Sequence, residues 1–236
     1  MNDIRLNKAI ADSGLTSRRK ADDLIDAGKV FVNGKMAQMG QRVKASDEIT
    51  VRGRRLPKHE TVTIVMNKPA GVITTKSDPH HYRTIMTLLP KNWQHLKPAG
   101  RLDKDSEGLI ILSSDGPLIQ KLTHPKHGHT KTYEILVKGY AKLHDLLPLG
   151  SGKLMLDGHK LNPIQFKILG TLKSGKTRIK LTLTEGRNRQ IRRVMDQLGY
   201  PVIYLRRIQI GQLTLGDLKS GQFHELSPED ITKALS

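Results

Sequence analysis

Two short stretches of the chain concentrate side chains able to do chemistry. AGRLDKDSEGLIIL at 99–112 sets Asp103, Asp105 and Glu107 in a polar loop ahead of an apolar run. Loops at strand ends often carry function, and a carboxylate there can act as nucleophile or general base. Spacing alone favours an ordinary turn in which Asp105 or Ser106 bonds its own backbone, and periodicity does not pick Asp103 over Asp105. The second stretch, EGRNRQIRR at 185–193, places Arg187, Arg189, Arg192 and Arg193 within seven residues. Most arginine runs on helices are solvated basic faces. Here the loop from Glu185 through Gly186 and Arg187 to Asn188 sits where a strand hands over to a helix, and helix N-terminal amides are a natural seat for a phosphate.

The helix that follows is expected over 188–198, because Ile191, Val194, Met195 and Leu198 fall on one face and Gly199 and Pro201 stop it. Arg189 and Arg193 then point away from the core. Arg192 lies about 100° from Ile191, at the edge of the buried face, so it is the arginine best placed to reach a semi-buried carboxylate.

Other chemistry is thinly represented. His124, His127 and His129 raise the question of a metal, but no Cys or carboxylate completes a ligand pattern, and Pro125 and Gly128 read as loop. An exposed basic loop near a polyanion fits them better, and His80 and His81 receive the same reading. The chain has no cysteine, which excludes disulfides, thiolate metal sites and cysteine nucleophiles. A phosphate-binding G-x-x-x-x-G-K-[ST] loop, a dinucleotide-binding glycine pattern, H-E-x-x-H and G-x-S-x-G are all missing. What is left is a binding module or an enzyme that needs no cofactor.

The elements that must hold these groups form two sets. Leu6, Ala9, Ile10 and Ser13 recur at helical spacing before Gly14, and a second helix can start from a Ser17 N-cap with Ala21, Leu24 and Ile25 as its apolar stripe. Val30, Phe31 and Val32 lead into Asn33-Gly34, a tight-hairpin dipeptide, with further small strands around Val43, Ile49 and Val51. GRRLPKHE at 53–60 is a charged linker. Beyond it, TVTIVMN at 61–67, GLIIL at 108–112, YEILVKG at 133–139 and RIKLTLT at 178–184 read as strands, with helices near 117–123 and 141–148. Strands outnumber helices, which predicts an α+β chain whose larger part is built on a mainly antiparallel mixed sheet.

Lys and Arg number 40 against 22 Asp and Glu, a net charge of +18, and such a field draws polyanions. Nucleic acid is the first partner to consider, ahead of an anionic membrane, because no helix sets a Trp/Phe-rich face against a Lys/Arg face. No 18-residue apolar run and no secretory h-region occur, so the sequence reads as a cytoplasmic protein with no membrane partner.

RLNKAIADSGLTSRRKADDLIDAGKVFVNGK at 5–35, closed by DEITV at 47–51, resembles the S4 RNA-binding domain. VMNKPAGVITT at 65–75, AGRLDKDSEGLIIL, KTYEILVKG at 131–139 and TEGRNRQIRRVMDQLGYPV at 184–202 resemble the RsuA-type branch of the pseudouridine synthases. These motifs cover nearly the whole chain, in the family's order and spacing. The resemblance implies an S4-like domain over 1–52, the linker, and a catalytic domain over 61–236. It also assigns roles that spacing left open. Asp103, directly after Arg-Leu, corresponds to the catalytic aspartate; Tyr133 to the tyrosine packed on the target uracil; Arg192 to the arginine ion-paired with that aspartate. Arg101 would help hold the RNA backbone or the space of the flipped-out base. Arg187, Asn188, Arg189, Gln190 and Ile191 would contribute to substrate binding, and Arg18, Arg19 and Lys20 would grip phosphates, relieving the conflict of a basic triplet beside a positive helix N-terminus. One departure stands at Ser106-Glu107-Gly108, where many relatives have Thr-x-Gly, and some large-subunit-directed members look like this chain there.

The implied activity is isomerisation of a uridine in ribosomal RNA, free or in an assembling particle, by a monomer using no metal or organic cofactor. The base must first leave its stack, at a cost of about a few kcal/mol. Two readings compete with it: a non-catalytic S4-containing RNA-binding or assembly factor, and a synthase acting on transfer RNA or messenger RNA.

Overall fold

The computed structural model describes residues 3–44, 46–56, 61–76 and 82–236. Positions 57–60 of the expected linker, and His80 and His81, lie outside the described residues.

The N-terminal part packs helices Leu6–Asp12 and Arg18–Asp26 on a small antiparallel sheet whose strands run in the order Lys35–Met36, Val30–Val32, Ile49–Val51, Arg54–Arg55. Leu6, Ile10, Ala21 and Ile25 from the helices bury against Val30, Val32, Ile49 and Val51 from the strands, so the helical and alternating patterns meet in one core. Ser17 caps the second helix by accepting from the Lys20 amide at 3.3 Å. Asn33 and Gly34 both have positive φ, 51° and 77°, as a two-residue type I′ hairpin turn requires. A strand precedes the first helix, unlike the expected order: Ile4–Arg5 pairs with Arg42–Val43 and is too short to leave a periodicity.

The larger part is a nine-stranded mixed sheet. Its main path runs Gln165–Leu172, Lys176–Leu183, Lys131–Lys138, Val202–Ile210, Glu107–Ser113, Thr63–Lys68, Phe223–Glu225. Every pairing along it is antiparallel except that of Val202–Ile210 with Glu107–Ser113, which is parallel and joins Arg206 to Glu107 and Arg207 to Gly108. Alternation along the strands feeds two cores. Ile64, Met66, Ile110, Leu112, Ile135 and Leu205 share one core with Ile191, Val194 and Met195 of the helix Gln190–Gln197. On the other face Val65, Leu109 and Ile111 meet Leu118 and Leu122 of the helix Gly116–Thr123, together with Ala234 of the C-terminal helix Pro228–Leu235.

Sequence periodicity missed five strands of the sheet, Lys97–Pro98, Gln165–Leu172, Val202–Ile210, Leu213–Thr214 and Phe223–Glu225, and the last helix. Val202–Ile210 is the most consequential omission because it lies at the middle of the sheet. Arg206 and Arg207 interrupt its apolar run, and Arg207 is nonetheless buried.

Candidate active site

A cleft of about 540 Å³ opens on the face of the sheet that carries Tyr133, bounded by the loop around Asp103, the segment His124–Lys131 and the loop Thr184–Arg189. The aspartate loop is fixed from below. Thr74 Oγ1 donates to the Leu102 carbonyl at 2.7 Å and accepts from the Leu102 amide at 3.2 Å, which clamps the residue before Asp103. The Gly71 amide donates to the Lys104 carbonyl at 2.7 Å. Lys68, fully buried, donates through Nζ to the carbonyls of Ser106 at 2.7 Å and Pro69 at 3.0 Å. The stretch 65–75 thus acts as a brace for the aspartate loop; sequence spacing does not mark Lys68 or Thr74, because the loop groups they hold are backbone carbonyls distant in the chain.

Burial pushes the Lys68 ammonium down to about 8, against the pull of Asp105, Glu107 and Asp103. Between that value and the ordinary lysine range the native protein binds fewer protons than the unfolded chain, so deprotonation relieves a penalty present at neutral pH. Relative to Lys68→Met, the wild type should gain stability on the order of 1 kcal/mol per pH unit above pH 8. Urea melts of both proteins at pH 7.5 and 9.5 check this; a pH-independent difference contradicts it.

Arg192 is buried, as its place on the helical wheel suggested, but it does not pair with Asp103. Its Nη2 lies 3.2 Å from Asp105 Oδ2 and donates to the Asp105 carbonyl at 3.1 Å and to Ser106 Oγ at 3.4 Å, while Nη1 donates to the Val202 carbonyl at 3.0 Å. The arginine beside Asp103 is Arg189, whose Nη1 stands 3.8 Å from Asp103 Oδ2 and 3.3 Å from Asp105 Oδ1. The helix begins at Gln190, two residues later than expected, and Arg189 is its N-cap with φ 48° and ψ 31°. In that left-handed conformation the wheel no longer applies, and its side chain turns in toward the carboxylates instead of out. Arg193, one turn along, does face away and pairs with Asp157.

The remaining residues of interest divide by burial. Arg101, Arg187 and Asn188 line the cleft and are exposed, as contacts to phosphate would need. Gln190 is buried and serves the loop: its Oε1 accepts from the Arg187 amide at 2.9 Å and its Nε2 donates to Glu185 at 3.0 Å. One amide of the expected phosphate seat is therefore already engaged. Ile191 belongs to the core. Tyr133 is 8% exposed at the cleft wall. Arg18, Arg19 and Lys20 are exposed on the second helix and do not line this cleft. His124 and His129 do line it, with His127 stacked on His129 at 5.8 Å; among the described residues no group of three or more His, Cys, Asp or Glu could hold a metal ion.

Asp103 and Tyr133 thus line one cleft, with the guanidinium groups of Arg101, Arg187 and Arg189 around it. The chain belongs to the RNA pseudouridylate synthase family, whose model matches residues 62–197, and an S4 domain matches residues 4–49. It is an RNA pseudouridine synthase, an isomerase. It is 39% identical over 231 residues to the ribosomal large subunit pseudouridine synthase B of Bacillus subtilis (strain 168), covering 97% of this chain and 94% of that one. It is 34% identical over 239 residues to the dual-specificity RNA pseudouridine synthase RluF of Escherichia coli (strain K12), covering 97% and 77%. A crystal structure of a pseudouridylate synthase superposes with a TM-score of 0.71 at 29% identity, over 98% of this chain and 99% of that one.

Proposed function

We propose that the protein isomerises a specific uridine of ribosomal RNA, with the large-subunit RNA as its substrate and Asp103 as its catalytic carboxylate. The observation that carries the reading is the cleft itself, where Asp103 stands beside Arg189 and shares a wall with Tyr133. The name of the Bacillus relative and the Ser106-Glu107-Gly108 segment favour the large subunit; the dual-specificity relative favours a second RNA substrate alongside it.

In this reading the uridine leaves its stack and enters the cleft, where Tyr133 offers an aromatic face to the base. Asp103 then acts at the sugar, as nucleophile or as the base that starts elimination. Arg189 balances the charge of Asp103, and Arg192 holds Asp105 and the loop backbone in place. Arg101, Arg187 and Asn188 take the flanking phosphates, while the 1–52 domain docks on structured RNA through Arg18, Arg19 and Lys20. The test is pseudouridine mapping on unmodified large-subunit, small-subunit and transfer RNA incubated with the purified protein and no cofactor. The expected result is a new pseudouridine in the large-subunit RNA; product confined to either other RNA overturns the substrate assignment.

Replacing Arg18, Arg19 and Lys20 together by Ala should weaken RNA binding and flatten the slope of log K against log[salt] by about 2, as expected for loss of two to three phosphate contacts. Filter binding across a salt series measures this, and an unchanged slope removes the docking role.

A further inference from the structure

Arg207 is a buried cation with no carboxylate of its own. It is 3% exposed, and its Nε donates to the Leu109 carbonyl at 2.7 Å. Its Nη2 is buried and meets no acceptor. Arg189 and Arg192 each have an acidic partner, whereas Arg207 forms no ion pair among the described residues. Its charged neighbours include two further cations: the ammonium groups of Lys68 and Lys131 are pushed down first by burial and then further by Arg207. An unpaired guanidinium with a buried, unsatisfied nitrogen is costly in such surroundings, and a native structure that keeps one calls for a ligand.

Its position says which ligand. Arg207 lies directly opposite Tyr133 in the antiparallel pairing of Val202–Ile210 with Lys131–Lys138, and residues so paired project from the same face of a sheet. Both line the cleft that holds Asp103. Phosphates are met by the exposed Arg101 and Arg187 at the rim, and a phosphodiester would have to be stripped of water to go deeper. A flat base that has entered beside Tyr133 brings carbonyl oxygens to the depth of Arg207.

We propose that Arg207 is a catalytic residue that donates from Nη2 to a carbonyl oxygen of the target uracil and stabilises the negative charge that develops there. The inference rests on the functional reading above. When the C1′–N1 bond breaks, its electron pair goes to the base, which becomes a uracil anion with charge spread over N1 and both carbonyl oxygens. This holds whether Asp103 bonds to C1′ or removes a sugar proton. After the base turns, a pair from C5 forms the C1′–C5 bond as the Asp103–C1′ bond breaks or, on the elimination route, as Asp103 returns the sugar proton it took; the C5 proton is lost and N1 gains one, so the overall change is an isomerisation. A fixed donor aimed at the carbonyl is strongest in the anionic stage, which is how such a group lowers a barrier.

The test compares the wild type with Arg207→Gln and Arg207→Lys in single-turnover consumption of the target nucleotide, in RNA carrying uridine or 5-fluorouridine at that position. Fluorine withdraws electrons and lets the base depart as an anion with less help. Arg207→Gln should consume uridine RNA about 100-fold more slowly than wild type. On 5-fluorouridine RNA the defect should shrink to about 10-fold, with RNA affinity unchanged and Arg207→Lys between the two. A variant that merely folds poorly loses the same factor on both bases, so equal factors overturn the proposal, as does full activity of Arg207→Gln. Absence of product from the wild type on uridine RNA removes the functional reading and this inference with it, whereas wild-type turnover with no effect at Arg207 removes this inference alone.

Discussion

Asp103→Asn should lower pseudouridine formation by about 10³-fold or more while leaving RNA affinity within about twofold of wild type. The side chain is about one-third exposed and, among the described residues, its one ion pair is the 3.8 Å approach of Arg189, so little of the fold rests on it. The amide keeps the shape and volume but can neither bond to C1′ nor take a proton. Asp105→Asn is the instructive contrast. Asp105 meets Arg189 at 3.3 Å and Arg192 at 3.2 Å, so neutralising it loosens the loop and leaves buried Arg192 without its carboxylate. Its turnover should fall by about 10- to 100-fold, together with a lowered melting temperature. Single-turnover kinetics and thermal melts on the two variants separate chemistry from support. Equal loss of activity with equal loss of stability would put the two carboxylates on the same footing and contradict the assignment.

Gly108→Ala should destabilise the protein by about 4 kcal/mol or more, the range reached when a substitution forces backbone apart. Gly108 has φ 105°, and a Cβ there would lie 2.1 Å from the Arg207 carbonyl oxygen, 2.7 Å from its nitrogen and 2.9 Å from its carbonyl carbon. These are atoms of the neighbouring strand, not the end of a flexible side chain, so nothing can swing away. The site suffers with the fold: Gly108 follows the loop that holds Asp103 and pairs with the residue that presents the Arg207 guanidinium. Urea melts measure the loss, and a variant within about 1 kcal/mol of wild type contradicts so close a strand contact.

Gly108 also shows what the sequence could and could not disclose. As the last residue of Ser106-Glu107-Gly108 it was noticed as part of a motif, yet its reason, the parallel approach of Val202–Ile210, depends on a strand that the sequence pattern did not reveal. Period-2 alternation located Thr63–Lys68, and an unbroken apolar run located Glu107–Ser113. Both signals failed where polar residues are buried for the site's sake, because Arg206-Arg207 looks like solvent-facing chain until the cleft is seen. The wheel found the burial of Arg192 from Ile191, Val194 and Met195. It misplaced Arg189, since a left-handed N-cap is a backbone choice that helical spacing does not record. The role of stretch 65–75 was hidden for a related reason: Thr74 and Lys68 hold backbone carbonyls, and carbonyls carry no sequence signature.

The measurement that tests the central claim most directly is release of tritium from RNA labelled at uridine C5. Joining C5 to the sugar expels the C5 hydrogen, so one equivalent is released for each uridine converted. Wild type with large-subunit RNA should release one equivalent per RNA molecule, and Asp103→Asn should release none on the same time scale. Release by Asp103→Asn at the wild-type rate, or no release by wild type from any of the three RNAs, would contradict an isomerase that works through Asp103.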